Sequence, residues 1–197
     1  MKNNPNEEKI LDAALKVVAR ETISGTRTRM IAEEAGMTAS NLHYYYKNKE
    51  DILGKLQERV MAEGSRYRHK GSSDRPPKNL DEALDMFFLQ KMDFIVREKE
   101  YDFVHMDFWL QARVDENMRQ SIAVNYENWR AEIKKTVIDP FAGDISEFDK
   151  NRLSYVIISL LQGASIQYHL DSFNLPGYFS YCKLIINKML TEPMEAP

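Results

Sequence analysis

Residues 28–46 read Thr28-Arg29-Met30-Ile31-Ala32-Glu33-Glu34-Ala35-Gly36-Met37-Thr38-Ala39-Ser40-Asn41-Leu42-His43-Tyr44-Tyr45-Tyr46. Met30, Ile31, Ala32 and Ala35 carry a helical repeat that Gly36 stops, and a second short helix follows through Tyr45 or Tyr46. This is the helix-turn-helix plan. Gly36 can take the positive φ that a sharp turn needs. The Thr38 hydroxyl can cap the open amides of the second helix. Ala32 allows close approach, and Met37 and Leu42 can point inward to lock the pair. Ala39, Ser40, Asn41, His43 and Tyr44 are left facing outward on a rod whose width fits the DNA major groove. Ser40 and Asn41 can bond base edges, Asn41 suits adenine, and Ala39 can touch a thymine methyl. His43 and Tyr44 can reach phosphate oxygens. Lys49 in the next helix, and Thr28 and Arg29 opening the preceding one, can hold phosphate at helix starts. The same spacing also fits a plain helical hairpin with capping residues.

Upstream, Ile10, Leu11, Ala14, Leu15 and Val18 form one apolar stripe, with Asn6 placed to cap it and Glu7 and Glu8 in its first turn. Ser24-Gly25-Thr26 breaks that helix, and Thr26 or Thr28 can cap the next. Asn48 opens a fourth helix with Asp51 at its third position, and Ile52, Leu53, Leu56 and Val60 form its apolar stripe. Residues 65–77 hold little apolar content and end in Pro76-Pro77, which reads as a mobile connection. Further helices are expected near 80–98, 101–113, 116–138, 146–171 and 177–190. No period-two alternation occurs, so the expected class is all-α. The spacing predicts an N-terminal module over 1–64, a linker over 65–79, a larger helical domain over 80–191 and a frayed tail over 192–197.

The 197 residues include 27 Lys+Arg and 30 Asp+Glu, a net charge of −3 that by itself argues against nucleic acid. The charge is uneven, however. Residues 1–70 hold 13 basic and 10 acidic side chains, net +3, whereas residues 71–197 hold 14 and 20, net −6. Different partners for the two segments are expected. One cysteine, Cys182, forbids an internal disulfide and a cysteine-rich zinc site. No apolar run approaches the ~20 residues a membrane span needs. The N-terminus lacks the apolar core of a signal peptide, so the cytoplasm is the expected compartment. Phosphate-cradling glycine loops, nucleophile elbows and paired metal ligands are absent from the sequence, so no cofactor or metal is expected.

Residues 7–63 resemble the TetR family of transcriptional regulators. The matching positions are Thr28, Ile31, Ala32, Ala35, Gly36, Thr38, Leu42, Tyr45, Lys47, Asn48, Lys49, Glu50, Ile52 and Leu53. His43 stands where the family usually has a phosphate-holding tyrosine, and Tyr46 where it has a core phenylalanine. The resemblance implies DNA contacts at Thr28, Arg29, Ser40, Asn41, His43, Tyr44 and Lys49. It implies a homodimeric regulator, a repressor, on a pseudo-palindromic double-stranded operator, released by a small-molecule effector. The rival reading is a helical small-molecule-binding protein without sequence-specific DNA binding.

The larger domain carries no comparable signature. Phe87, Phe103, Met106, Trp109, Tyr126 and Trp129, with Gln162 as a polar group, can line an apolar effector pocket or simply fill a core. Leu153, Val156, Leu160, Gly163 and Gln167 step by three and four, the seam of a helix packed on a partner helix. Leu184 and Ile185 give the last helix an apolar side. Two such helices from each of two chains would make a four-helix dimer interface, as the resemblance implies, and an intrachain contact would satisfy the same pattern.

Overall fold

The structure is a computed structural model that describes residues 4–69, 75–143 and 145–191. Every regular element among the described residues is helical. In chain order these are α1 (Pro5–Gly25), α2 (Thr28–Glu34), α3 (Ala39–Tyr45), α4 (Lys49–His69), α5 (Leu80–Arg97), α6 (Lys99–Gln111), α7 (Glu116–Ile133), a π turn (Lys134–Ile138), α8 (Asp139–Phe141), α9 (Glu147–Asp171) and α10 (Leu175–Thr191). The all-α expectation is met.

Helix starts follow local chemistry. Asn4, rather than Asn6, caps α1, its side chain accepting from the Asn6 amide while Pro5 takes the first position, where no N–H is needed. Neither Thr26 nor Thr28 caps α2. Arg27 occupies that position without a side-chain bond, and Thr26 ends α1 with its hydroxyl on the Thr22 carbonyl at 2.7 Å. Thr38 caps α3 and Asn48 caps α4, as their spacing predicts. The π turn lies just ahead of Pro140, which lacks an amide and crowds the carbonyl four residues back.

The chain divides into two compact units. The first takes residues 1–65 and 98–123, the second residues 66–97 and 124–197. Ile10, Ile31, Leu42, Ile52, Leu56, Val104 and Phe108 are fully buried in the first. In this unit α6 packs on the N-terminal helices, a partner that no periodic pattern marks. Arg59 of α4 donates to the Tyr101 hydroxyl at 3.1 Å and pairs with Asp12, and Gln57 donates to the Met118 carbonyl at 3.2 Å. The second unit has its own core, in which Phe88 stacks on Phe179 at 4.8 Å and Ile133, Ile138, Ile157 and Ile186 are fully buried.

The expected linker starts as helix, since α4 continues to His69. Tyr67 is buried beside Phe94, and the cations Arg66, Arg68 and His69 suit a helix C-terminus. Residues 70–74 of that linker and the expected frayed tail at 192–197 lie outside the described residues.

Candidate nucleic-acid interface

The turn between α2 and α3 works as its residues dictate. Gly36 takes φ +61°, and its amide and that of Met37 donate to the carbonyls of Glu33 and Ala32. Thr38 then accepts from the Asn41 amide at 3.2 Å. Leu42 faces inward with no exposed surface and Ala32 is buried, while Met37 is half-buried. The register that sinks Leu42 turns Ala39, Ser40, Asn41, His43 and Tyr44 outward, and all five are exposed, Tyr44 at 82%. Tyr44 meets the Tyr45 ring edge-on at 5.1 Å, and the Tyr45 hydroxyl accepts from Asn6 at 2.7 Å, tying α3 to α1. Tyr46 is buried, and burial followed by the nearby carboxylates Glu7, Glu8 and Glu58 raises its hydroxyl above the ordinary tyrosine value.

Of the flanking cations, Arg29 is exposed and held only by a surface pair with Glu33 at 2.8 Å, and Thr28 beside it is half-buried. Lys49 differs from its expected role. Its ammonium donates to the carbonyls of Ile23 and Thr26, each at 2.8 Å, so it braces the end of α1. At that end Thr22 leaves helical geometry, at φ 65° and ψ 167°. The next amide, Ile23 N–H, is accepted by the Asp107 carboxylate of α6. Burial raises Asp107 above the ordinary carboxylate range, and the Ile23 amide opposes that shift. No local sequence signal marks this role of Asp107, since its partner lies 84 residues away.

The effector candidates divide between the units. Phe103, Met106 and Trp109 belong to the first, with Trp109 exposed, while Phe87, Tyr126, Trp129 and Gln162 belong to the second. Phe87 and Trp129 are core residues there. Gln162 donates to the Tyr126 hydroxyl at 2.7 Å, and Tyr126 meets Trp129 edge-on at 5.9 Å. Trp129 is 6% exposed, yet its indole N–H has no hydrogen-bond partner. The Arg68 guanidinium lies 5.0 Å over the same ring. A pocket of about 670 Å³ in the second unit has other walls, among them Leu89, Met92, Val96, Tyr168 and Phe173, with Asp93 and Arg97. No periodic signal marks that set, because it joins one face of α5 to a helix end and a loop.

The seam expected on α9 is rotated. Leu153 is 2% exposed and belongs to the core. Val156, Leu160 and Gly163 are half-buried, and Gln167 is exposed. The outward apolar stripe on α9 runs instead through Tyr155, Ile166 and Leu170, while Leu184 and Ile185 are exposed on α10. The cause is that α9 is apolar around most of its circumference, so a three-and-four step fits more than one face.

Comparison with known proteins bears on this interface. Residues 10–56 match the family described as bacterial regulatory proteins, tetR family. A helix-turn-helix type transcriptional regulator of Xanthobacter autotrophicus, encoded in the dhlA 5′ region, is 37% identical over 61 residues. That stretch is 31% of this chain and 30% of the relative, so the chain spans under a third of it. The nicotine-responsive transcriptional repressor HdnoR of Paenarthrobacter nicotinovorans is 18% identical over 185 residues, 93% of each chain. The choline complex of a Saccharomonospora viridis protein classed as a transcriptional regulator superposes with a TM-score of 0.78 at 18% identity, covering 95% of this chain and 98% of that one. At such identity the likeness speaks for the fold alone. No described helix is long and apolar enough to cross a membrane.

Proposed function

The chain carries the N-terminal domain of the TetR family, and from that premise we propose that it is a ligand-responsive transcriptional repressor acting as a homodimer. Residues 1–64 take the operator, residues 65–79 connect, and residues 80–191 take the effector and the second subunit. The reading is carried by the joint exposure of Ala39, Ser40, Asn41, His43 and Tyr44 on a helix whose inner side is locked by Leu42. α3 enters a major groove, Ser40 and Asn41 read base edges, and Thr28, Arg29, His43 and Tyr44 hold phosphates. Two-fold symmetry then asks for inverted half-sites about one helical turn, or a multiple of it, apart. The protein works in the cytoplasm, where such an operator lies.

The effector is an apolar or aromatic small molecule. The pocket of about 670 Å³ walled by Leu89, Met92, Val96, Tyr168 and Phe173 supports such a ligand, its apolar walls carrying the polar groups Asp93 and Arg97 at one side. Repressors respond to such a molecule only through its different affinity for the DNA-bound and free geometries. HdnoR is named for its response to nicotine, and the S. viridis protein was seen with choline, so small organic ligands suit this fold.

Gel-shift titration against the region upstream of the protein's own gene, at several salt concentrations, tests the reading. Salt-sensitive binding tighter than to random duplex is expected. Binding no tighter than to random duplex favours a helical ligand-binding protein without operator recognition.

A further inference from the structure

We propose that Asp107, on α6, is a positioning residue for DNA recognition, holding the non-helical joint at Thr22 from which α1 leads into α2 and α3. The inference rests on the DNA-binding reading, while the state of the joint itself is read independently at the Ile23 amide. Thr22 sits at φ 65° and ψ 167°, a region that belongs almost entirely to glycine. A β-branched residue is poorly suited to it. Such a conformation persists only where its surroundings over-determine it.

Here three side chains do so. The Thr26 hydroxyl donates to the Thr22 carbonyl at 2.7 Å, beside the Thr26 amide at 3.1 Å. Lys49 donates to the carbonyls of Ile23 and Thr26. Asp107 accepts from the Ile23 amide, which the kink removes from the helical ladder. Ile23 and Thr26 are buried, so an unanswered amide at this point would lie away from water. Thr26 and Lys49 belong to the N-terminal helices themselves. Asp107 comes from 84 residues further along the chain. It therefore brings the position of α6 to bear on the joint, and α2 begins only six residues after Thr22.

The test uses the full chain as Asp107→Ala, Asp107→Asn, Thr22→Gly and the double variant Asp107→Ala/Thr22→Gly. Affinity is measured for a duplex that the wild-type protein selects from a random-sequence library. Deuterium exchange is followed at the Ile23 amide. Asp107→Ala is expected to weaken binding about tenfold and to speed exchange at Ile23, with the helical content retained. Asp107→Asn, which keeps an acceptor oxygen, falls in between. Thr22→Gly binds like the wild type, because glycine takes this conformation unaided. The double variant regains most of the lost affinity while its Ile23 amide, still without the Asp107 acceptor, keeps exchanging fast. The proposal is overturned if folded Asp107→Ala binds within twofold of the wild type, or if the double variant binds no better than Asp107→Ala. Should the wild type select no duplex, the DNA-binding reading fails by itself. The joint is then judged on Ile23 alone, and unchanged exchange in Asp107→Asn or Asp107→Ala overturns it.

Discussion

The Lys49 ammonium donates to the Ile23 carbonyl at 2.8 Å, and the same nitrogen reaches the Thr26 carbonyl at 2.8 Å. Two of its three donors are thereby spent at the C-terminal end of α1, where a cation is also favoured by the helix dipole. Lys49→Ala should lower unfolding stability by about 1–3 kcal/mol, the usual cost of losing charge-assisted hydrogen bonds. Arg29→Ala is its counterpart. Arg29 is exposed and its pair with Glu33 is a surface pair, so stability should stay within ~0.5 kcal/mol. Urea melts of both variants check the ranking. Only Arg29→Ala should reduce the salt slope of DNA binding by about one without a loss of stability.

Asn41→Ala should leave the fold intact, since the Asn41 side chain is exposed and Thr38 caps through the backbone amide of Asn41. Loss of a base contact costs about 1–3 kcal/mol against the preferred sequence and relaxes preference at one position. Competition binding with single-base operator variants measures this. Equal weakening on every duplex would assign Asn41 to phosphate instead.

A fragment ending at residue 69 should be far less stable than the first unit within the whole chain. Val104 and Phe108 of α6 are fully buried in that unit, and Gln57 and Arg59 of α4 bond to Met118 and Tyr101. Removing them exposes core surface at about 25 cal/mol per Å² of apolar area. Circular dichroism melts of fragment and full chain give the comparison.

The helix-turn-helix could be read from Thr28–Tyr46 because nearly everything that defines it is local: Gly36 for the turn, Thr38 for the cap, and Leu42 to fix which side faces in. The role of Lys49 could not be read, because a lysine at a helix start offers the same charge to a phosphate and to a neighbouring carbonyl. Asp107 lay outside any local pattern, its partner being 84 residues away. Nor could the split of α6 from the larger domain be read, since periodicity tells that a helix has an apolar side and not which core receives it. On α9 the pattern misled for a related reason. Leu153 and Tyr155 both lie on apolar stripes, and only packing decides that Leu153 goes inward.

That rotation predicts a contrast. Leu184 is 67% exposed, so Leu184→Glu should leave the subunit folded and abolish self-association if α9 and α10 form the dimer face. Leu153→Ala should instead destabilise the subunit by about 2–5 kcal/mol, as a cavity in the core does. Sedimentation and thermal melts of the two variants separate these outcomes. Leu184→Glu remaining dimeric would move the interface elsewhere.

Tyr178 predicts an alkaline dependence. Burial, and then the adjacent Cys182, push its hydroxyl up to about 12 from the ordinary 10.0, and that hydroxyl donates to the Leu160 carbonyl at 3.0 Å. The folded chain therefore holds this proton where the unfolded chain has released it. Its stabilising contribution is complete below pH 10 and is lost as pH rises from there towards 12. Tyr178→Phe should show a shallower fall in stability over that window, and a matching fall would deny the shift.

The central claim is that two copies of α3 read one symmetric duplex. Selecting duplexes from a random pool with the wild-type protein and sequencing the survivors tests it most directly. The account predicts an inverted repeat whose half-sites lie about one helical turn, or a multiple of it, apart, and its loss from the pool selected by Asn41→Ala. A wild-type pool as random as the input would contradict it.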